Sequence, residues 1–137
     1  MTRFNGLQGK RIILVDDDEM VREFAHECLE SAGAVLLAFP GIESARAYIA
    51  GAAPADAALI DMKLADGKGT ELIPDMQRLG IPTVVYTSDP QRKTLRNIRT
   101  EVWGKAEVCG LSLVSRVLTL ISDHSARSHE KLVKHGF

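Results

Sequence analysis

Four apolar residues in a row, Ile12-Ile13-Leu14-Val15, run without a polar break into three aspartates, Asp16-Asp17-Asp18. A short apolar run with no alternation reads as a strand covered on both faces, the habit of a parallel sheet lying between layers of helix. The theme returns twice. Ala57-Ala58-Leu59-Ile60 leads into Asp61, and Pro82-Thr83-Val84-Val85-Tyr86 leads into Thr87 and Ser88. Neighbouring carboxylates at the end of a buried strand repel one another by on the order of 1 kcal/mol even in a water-like dielectric, so something must compensate them.

Helical periodicity fills the gaps between these runs. The first strand is expected over Arg11–Asp16, followed by a helix over Met20–Ser31 that turns Val21, Phe24, Ala25, Cys28 and Leu29 inward and closes at Gly33. Ala34–Phe39 reads as strand, stopped by Pro40-Gly41, then Ile42–Ala50 as helix and Gly51–Pro54 as loop. Ala57–Asp61 is the third strand. A loop with Gly67 and Gly69 precedes a weaker helix over Thr70–Leu79, with Pro74 in its first turn. Pro82–Thr87 is the fourth strand, Pro90–Arg99 a helix anchored by Leu95 and Ile98 alone, Val102-Trp103 a short fifth strand, and Ser112–Ile121 the last helix. Strand–helix units in this order, joined by right-handed crossovers, give an α/β fold: a doubly wound, five-stranded parallel sheet of the flavodoxin-like kind in a three-layer sandwich. One domain is expected over 9–122, after an extension at 1–8 and before a polar tail at 123–137 that frays.

Composition excludes several classes. The 137 residues carry a net charge of −1, which provides no global field for nucleic acid or lipid. No run of about 18 apolar residues marks a membrane span, the start lacks a signal-peptide core, and a cytoplasmic location is expected. Cys28 and Cys109, 81 positions apart, read as free buried thiols with no support for a metal or redox role. His26, His124, His129 and His135 show no metal-ligand spacing.

In such a sheet, ligands bind beyond the carboxyl ends of the strands. The first strand delivers Asp16 and Asp17 there, the third Asp61, the fourth Thr87 and Ser88, and the fifth is followed by Gly104-Lys105. Three carboxylates against one ammonium leave two negative charges, which a divalent cation would neutralise. Oxygen donors without His or Cys select Mg2+ or Mn2+ over zinc. A metal beside a lysine and a threonine suits a phosphoryl group, with one central Asp able to accept it as an acyl phosphate.

These residues carry a resemblance. Ile12-Ile13-Leu14-Val15-Asp16-Asp17-Asp18, Ala58-Leu59-Ile60-Asp61-Met62-Lys63-Leu64-Ala65-Asp66-Gly67-Lys68-Gly69 and Val84-Val85-Tyr86-Thr87-Ser88 are similar, in order and spacing, to the receiver domain of two-component response regulators, over about residues 9 to 121. The resemblance implies a single-domain response regulator of the chemotaxis-regulator kind. Asp61 is then the phosphoacceptor, loaded by a sensor histidine kinase or a histidine phosphotransfer protein. Asp17 is a direct magnesium ligand, Asp16 acts on the metal largely through water, and the Lys63 backbone carbonyl completes the protein ligands with Asp61. Thr87 and Lys105 bind the phosphoryl oxygens, and the only chemistry is self-phosphorylation and self-dephosphorylation. Lys63 and Asp89 flank the entrance to Asp61. Output passes to an unidentified downstream protein, without direct DNA binding or membrane contact, since the chain leaves no room for a helix-turn-helix unit.

The sequence departs from that family at four places. Ala65 and Ala106 stand where proline is usual, the stretch from Thr87 to Lys105 is short, and Val102 occupies the position of a switch aromatic, with Trp103 expected on the opposite side of the strand. Other readings remain. The three aspartates include a helix cap at Asp17 or Asp18. Asp16-x-Asp18 also fits a haloacid-dehalogenase-like phosphatase, in which Asp16 rather than Asp61 would be modified. A phosphorylation-independent pseudo-receiver scaffold shares the fold. A flavodoxin-like electron carrier shares the architecture, but three acids in the first loop oppose a flavin phosphate. Arg92, Lys93, Arg96 and Arg99 form either a solvated basic face or a docking face for an acidic partner.

Overall fold

Strand β1 (Arg11–Val15) pairs in parallel with β2 (Val35–Phe39) on one side and β3 (Ala57–Ile60) on the other. The computed structural model describes residues 6–51, 55–95 and 98–134. A two-stranded antiparallel ribbon, β4 (Lys63–Leu64) and β5 (Gly67–Lys68), follows β3. Beyond it β6 (Thr83–Thr87) pairs with β3, and β7 (Glu101–Gly104) with β6. The main sheet is therefore parallel throughout, in the order β2-β1-β3-β6-β7. Its connections reverse direction between β1 and β3, so the switch point lies where Asp16 and Asp61 leave the sheet.

Side-chain alternation divides the core into two layers. Ile12 and Leu14 of β1 face α1 (Glu19–Ser31) and α4 (Leu111–Lys134), packing with Leu29, Leu59, Val84, Tyr86, Trp103 and Val117. Ile13 and Val15 point the other way, onto α2 (Ile42–Ala50) and α3 (Ile73–Arg78), with Ile49, Ile60, Leu72 and Met76. Every residue of Ile12–Val15 and Ala57–Ile60 is fully buried, which is why these runs show no alternation. Each such aliphatic side chain contributes roughly 1.5–3 kcal/mol by leaving water. Leu7, placed by the sequence in the N-terminal extension, is fully buried in the first layer, and its N–H donates to the Ala32 carbonyl at 3.0 Å.

Several expectations need correction. Phe24 was expected to face the core but is 66% exposed. The helix expected over Pro90–Arg99 is reduced to a single 3-10 turn at Lys93–Leu95, with residues 96 and 97 outside the description. Among the described residues Leu95 is the one buried anchor there, too little to repay helix nucleation next to exposed Arg92 and Lys93. Thr70–Leu79 begins as a 3-10 turn at Gly69–Leu72 and becomes α3 only from Ile73, with Pro74 in the first turn as expected. The polar stretch from Ser122, expected to fray, is helical to Lys134. Residues 1–5 of the extension, 52–54 of the second loop, Arg96 and the end of the tail at 135–137, including His135, lie outside the described residues, as does the side chain of His129. No helix among the described residues is long and apolar enough to cross a membrane.

Candidate functional site

Asp16 continues β1 by one residue: its N–H donates to the Phe39 carbonyl at 3.0 Å, and its carboxylate is completely buried. One carboxylate oxygen, Oδ1, accepts the Asp18 N–H at 2.9 Å, closing a tight turn at the head of α1. The other, Oδ2, lies 2.6 Å from the Lys105 ammonium. That contact is a short, buried ion pair. Burial pushes the Asp16 carboxyl above its ordinary range, and Lys105 pulls it back only in part.

Capping falls to Asp18, not to Asp16 or Asp17. The Asp18 carboxylate accepts the Met20 N–H at 2.9 Å as the N-cap of α1. Asp17 is exposed, and its carboxylate is left to face the site. Asp61 leaves β3 one strand over, its N–H donating to the Val15 carbonyl at 2.8 Å, so the register of β1 against β3 sets the two acidic residues side by side. Carboxylate oxygens of Asp16, Asp17 and Asp61 lie within 4.8 Å of one another.

Lys105 reaches this cluster from the far edge of the sheet. Its N–H donates to the Thr87 carbonyl at 2.8 Å, extending the β6–β7 ladder, and Val108 N–H turns back onto Gly104 O at 2.9 Å. The turn thus forms with Ala106 in the place of proline. Lys105 Nζ bridges Asp16 Oδ2 and Asp61 Oδ2, the latter at 3.0 Å. Burial opposes its charge, but the two carboxylates outweigh burial and raise its pKa. Thr87 is buried beside it, its Oγ1 accepting the Asp89 N–H at 3.1 Å. The side chains of Lys63, Ser88 and Asp89 are exposed around these groups.

Two supports escaped sequence reasoning. Gly69 lies against the Asp61 backbone: a Cβ built there would sit 1.7 Å from the Asp61 carbonyl oxygen. The Asp66 carboxylate caps α2 from outside, accepting the Ile42 and Glu43 N–H groups at 3.0 Å each, with Gly41 at the cap position. These two backbone bonds hold the Asp66 carboxyl below its usual range. The signal for Gly69 was present in the glycine-bearing loop after Asp61, read there only as a loop. Asp66 caps a helix 24 residues earlier in the chain, which no local pattern shows. Trp103 does point away from Val102, as strand alternation requires: Trp103 joins the α1–α4 layer and Val102 packs near Met62, Ile73 and Val85. The basic face is not a helix, though Arg92, Lys93 and Arg99 are exposed as expected.

The residues fit a hard divalent cation. The side-chain donors are all carboxylate oxygens, and three acids face one ammonium. A family model for the response regulator receiver domain matches residues 12–102. The fold is similar to that of a CheY-like receiver domain protein from Methanospirillum hungatei, 22% identical with a TM-score of 0.77 over 88% of this chain and 99% of that one. It is also similar to the N-terminal domain of a response regulator/sensory box/GGDEF protein from Carboxydothermus hydrogenoformans (19%, TM-score 0.77, 88% and 100% covered). A receiver protein from Sinorhizobium medicae gives 16% identity and a TM-score of 0.73 over 86% and 98%. No curated protein matches the sequence.

Proposed function

The chain belongs to the response regulator receiver family, and from that premise we propose that Asp61 accepts a phosphoryl group from the phosphohistidine of a sensor histidine kinase or phosphotransfer protein. The single observation that carries this reading is the Lys105 ammonium held between Asp16 and Asp61 at the carboxyl edge of the sheet. In the transfer, an Asp61 carboxylate oxygen bonds to phosphorus, the P–N bond breaks, and the donor imidazole leaves with its electron pair. Lys105 then has a phosphoryl oxygen to pair with in place of the bare Asp61 carboxylate. The Thr87 hydroxyl, now an acceptor for Asp89 N–H, keeps its proton free to donate to another.

Asp16, Asp17, Asp61 and the Lys63 carbonyl would hold Mg2+ or Mn2+. The ion supplies charge neutralisation for the moving phosphoryl oxygens. Against the phosphatase reading stands the place of Asp18, whose carboxylate caps α1 rather than facing the acid cluster. Output is a contact with another protein, with no basic field to favour DNA.

Incubation with acetyl phosphate and Mg2+, followed by intact mass measurement, tests the proposal. One added phosphoryl group is expected, absent in Asp61→Asn and absent with a chelator. Label that persists in Asp61→Asn and maps to Asp16 would establish the phosphatase chemistry instead. No label at all would leave a scaffold.

A further inference from the structure

We propose that Cys28 and Cys109 form a redox-active thiol pair, closed to a disulfide by hydrogen peroxide, which ties α1 to the turn that carries Lys105. The two residues, far apart in sequence, line one cavity of about 760 Å³, with Phe24, Leu111 and Lys105 also in its wall. Cys28 donates its S–H to the carbonyl of Gly110, the residue next to Cys109, at 2.9 Å. The Cys109 sulfur lies 4.0 Å from the Ala106 carbonyl of the same turn, and burial, with a smaller contribution from Cys109, pushes the Cys28 thiol up. This corrects the expectation of two unrelated buried thiols, because Cys109 is exposed and Cys28 only half-buried.

The unequal settings assign the steps. Cys109, at the open side, meets the oxidant first. Its thiolate sulfur attacks one peroxide oxygen, the O–O bond breaks, and water leaves once protonated, so Cys109 becomes a sulfenic acid. Cys28 is held as a thiol by its carbonyl partner. On losing that proton to water its sulfur attacks the Cys109 sulfur, the S–O bond breaks, and the departing hydroxide takes up the proton to leave as a second water. Two thiols have lost two protons and two electrons, and one peroxide has become two waters. Gly110, between Cys109 and the start of α4, sits at φ 58°, a left-handed conformation that favours glycine.

The pair does not depend on phosphoryl chemistry, so it is tested separately. Reduced protein is treated with one equivalent of hydrogen peroxide, alkylated, and weighed intact. The expected product is a monomer lighter by two hydrogens that takes up no alkyl group and yields a tryptic peptide joining Cys28 to Cys109. Dithiothreitol should reverse it. The melting temperature of the oxidised form should rise by about 10 °C, since the cross-link closes a long loop. Cys28→Ser should stop at a sulfenic acid on Cys109 that dimedone captures, and Cys109→Ser should resist the same dose. Two thiols that remain fully alkylated would overturn the proposal. So would a disulfide found only between the Cys109 residues of two molecules.

Discussion

The Lys105 ammonium is the only positive group placed between Asp16 and Asp61 among the described residues, and removing it isolates a carboxylate that has no access to water. Lys105→Met should lower stability at pH 7 by about 3 kcal/mol, the cost of an unpaired buried charge. The deficit should narrow on acidification, because burial already pushes the Asp16 carboxyl upward and protonation relieves it. Mg2+ should narrow it as well. Urea denaturation at two pH values, with and without Mg2+, checks all three. Tyr86 provides a cleaner titration. Its hydroxyl donates to the Val108 carbonyl in the core, and burial moves its pKa from 10.0 up to about 12. Between those values the folded protein keeps a proton that the unfolded chain has lost. Stability should therefore fall as pH rises through that window, by about 2–3 kcal/mol in total. Tyr86→Phe should lack that portion of the decline when melting is followed from pH 9 to 12. Of these residues, Asp16, Asp61 and Lys105 were legible in the sequence because each directly follows a strand or its last glycine, so chain position alone carries it to the sheet edge. The hydrogen bond from Tyr86 to Val108 was not legible, since it joins a strand to a turn whose path depends on packing.

At the level of elements, legibility followed burial. The runs at β1, β3 and β6 declared themselves because neither face of the sheet meets water there, and α2 matched its expected bounds residue for residue. The segment after β6 misled because its two expected anchors, Leu95 and Ile98, reduce to one: among the described residues only Leu95 is buried there, and Ile98 is half-exposed. The ribbon after β3 was hidden for another reason: two-residue strands have no periodicity to detect. Yet that ribbon fixes the site. Gly69 N–H donates to the Met62 carbonyl at 2.7 Å, and its Cα passes against the Asp61 backbone. Gly69→Ala should push the ribbon away from β3, lower the melting temperature by several degrees and slow acetyl phosphate labelling of Asp61. Calorimetry and the labelling time course measure both. Normal labelling in a stable Gly69→Ala protein would show that the ribbon is dispensable for the acceptor.

Across the whole molecule, the core ends before the last helix does. Leu113, Val114, Val117 and Ile121 are the buried residues of α4 among those described, and all precede Ser122. Deleting residues 123–137 should leave a cooperatively melting domain that still takes up phosphoryl label, as circular dichroism and mass measurement would show. The 24 residues of α4 make a rod about 36 Å long. It is rooted six residues beyond Lys105, and among the described residues its buried side chains all lie in its first half. Such a rod is a lever with its fulcrum beside the charge cluster. A rigid tilt of the whole helix by about 5° about its root sweeps the far end through about 3 Å, given the rise of an α-helix. A displacement too small to notice among the acids thereby becomes, at the tip, a movement as large as a hydrogen bond is long.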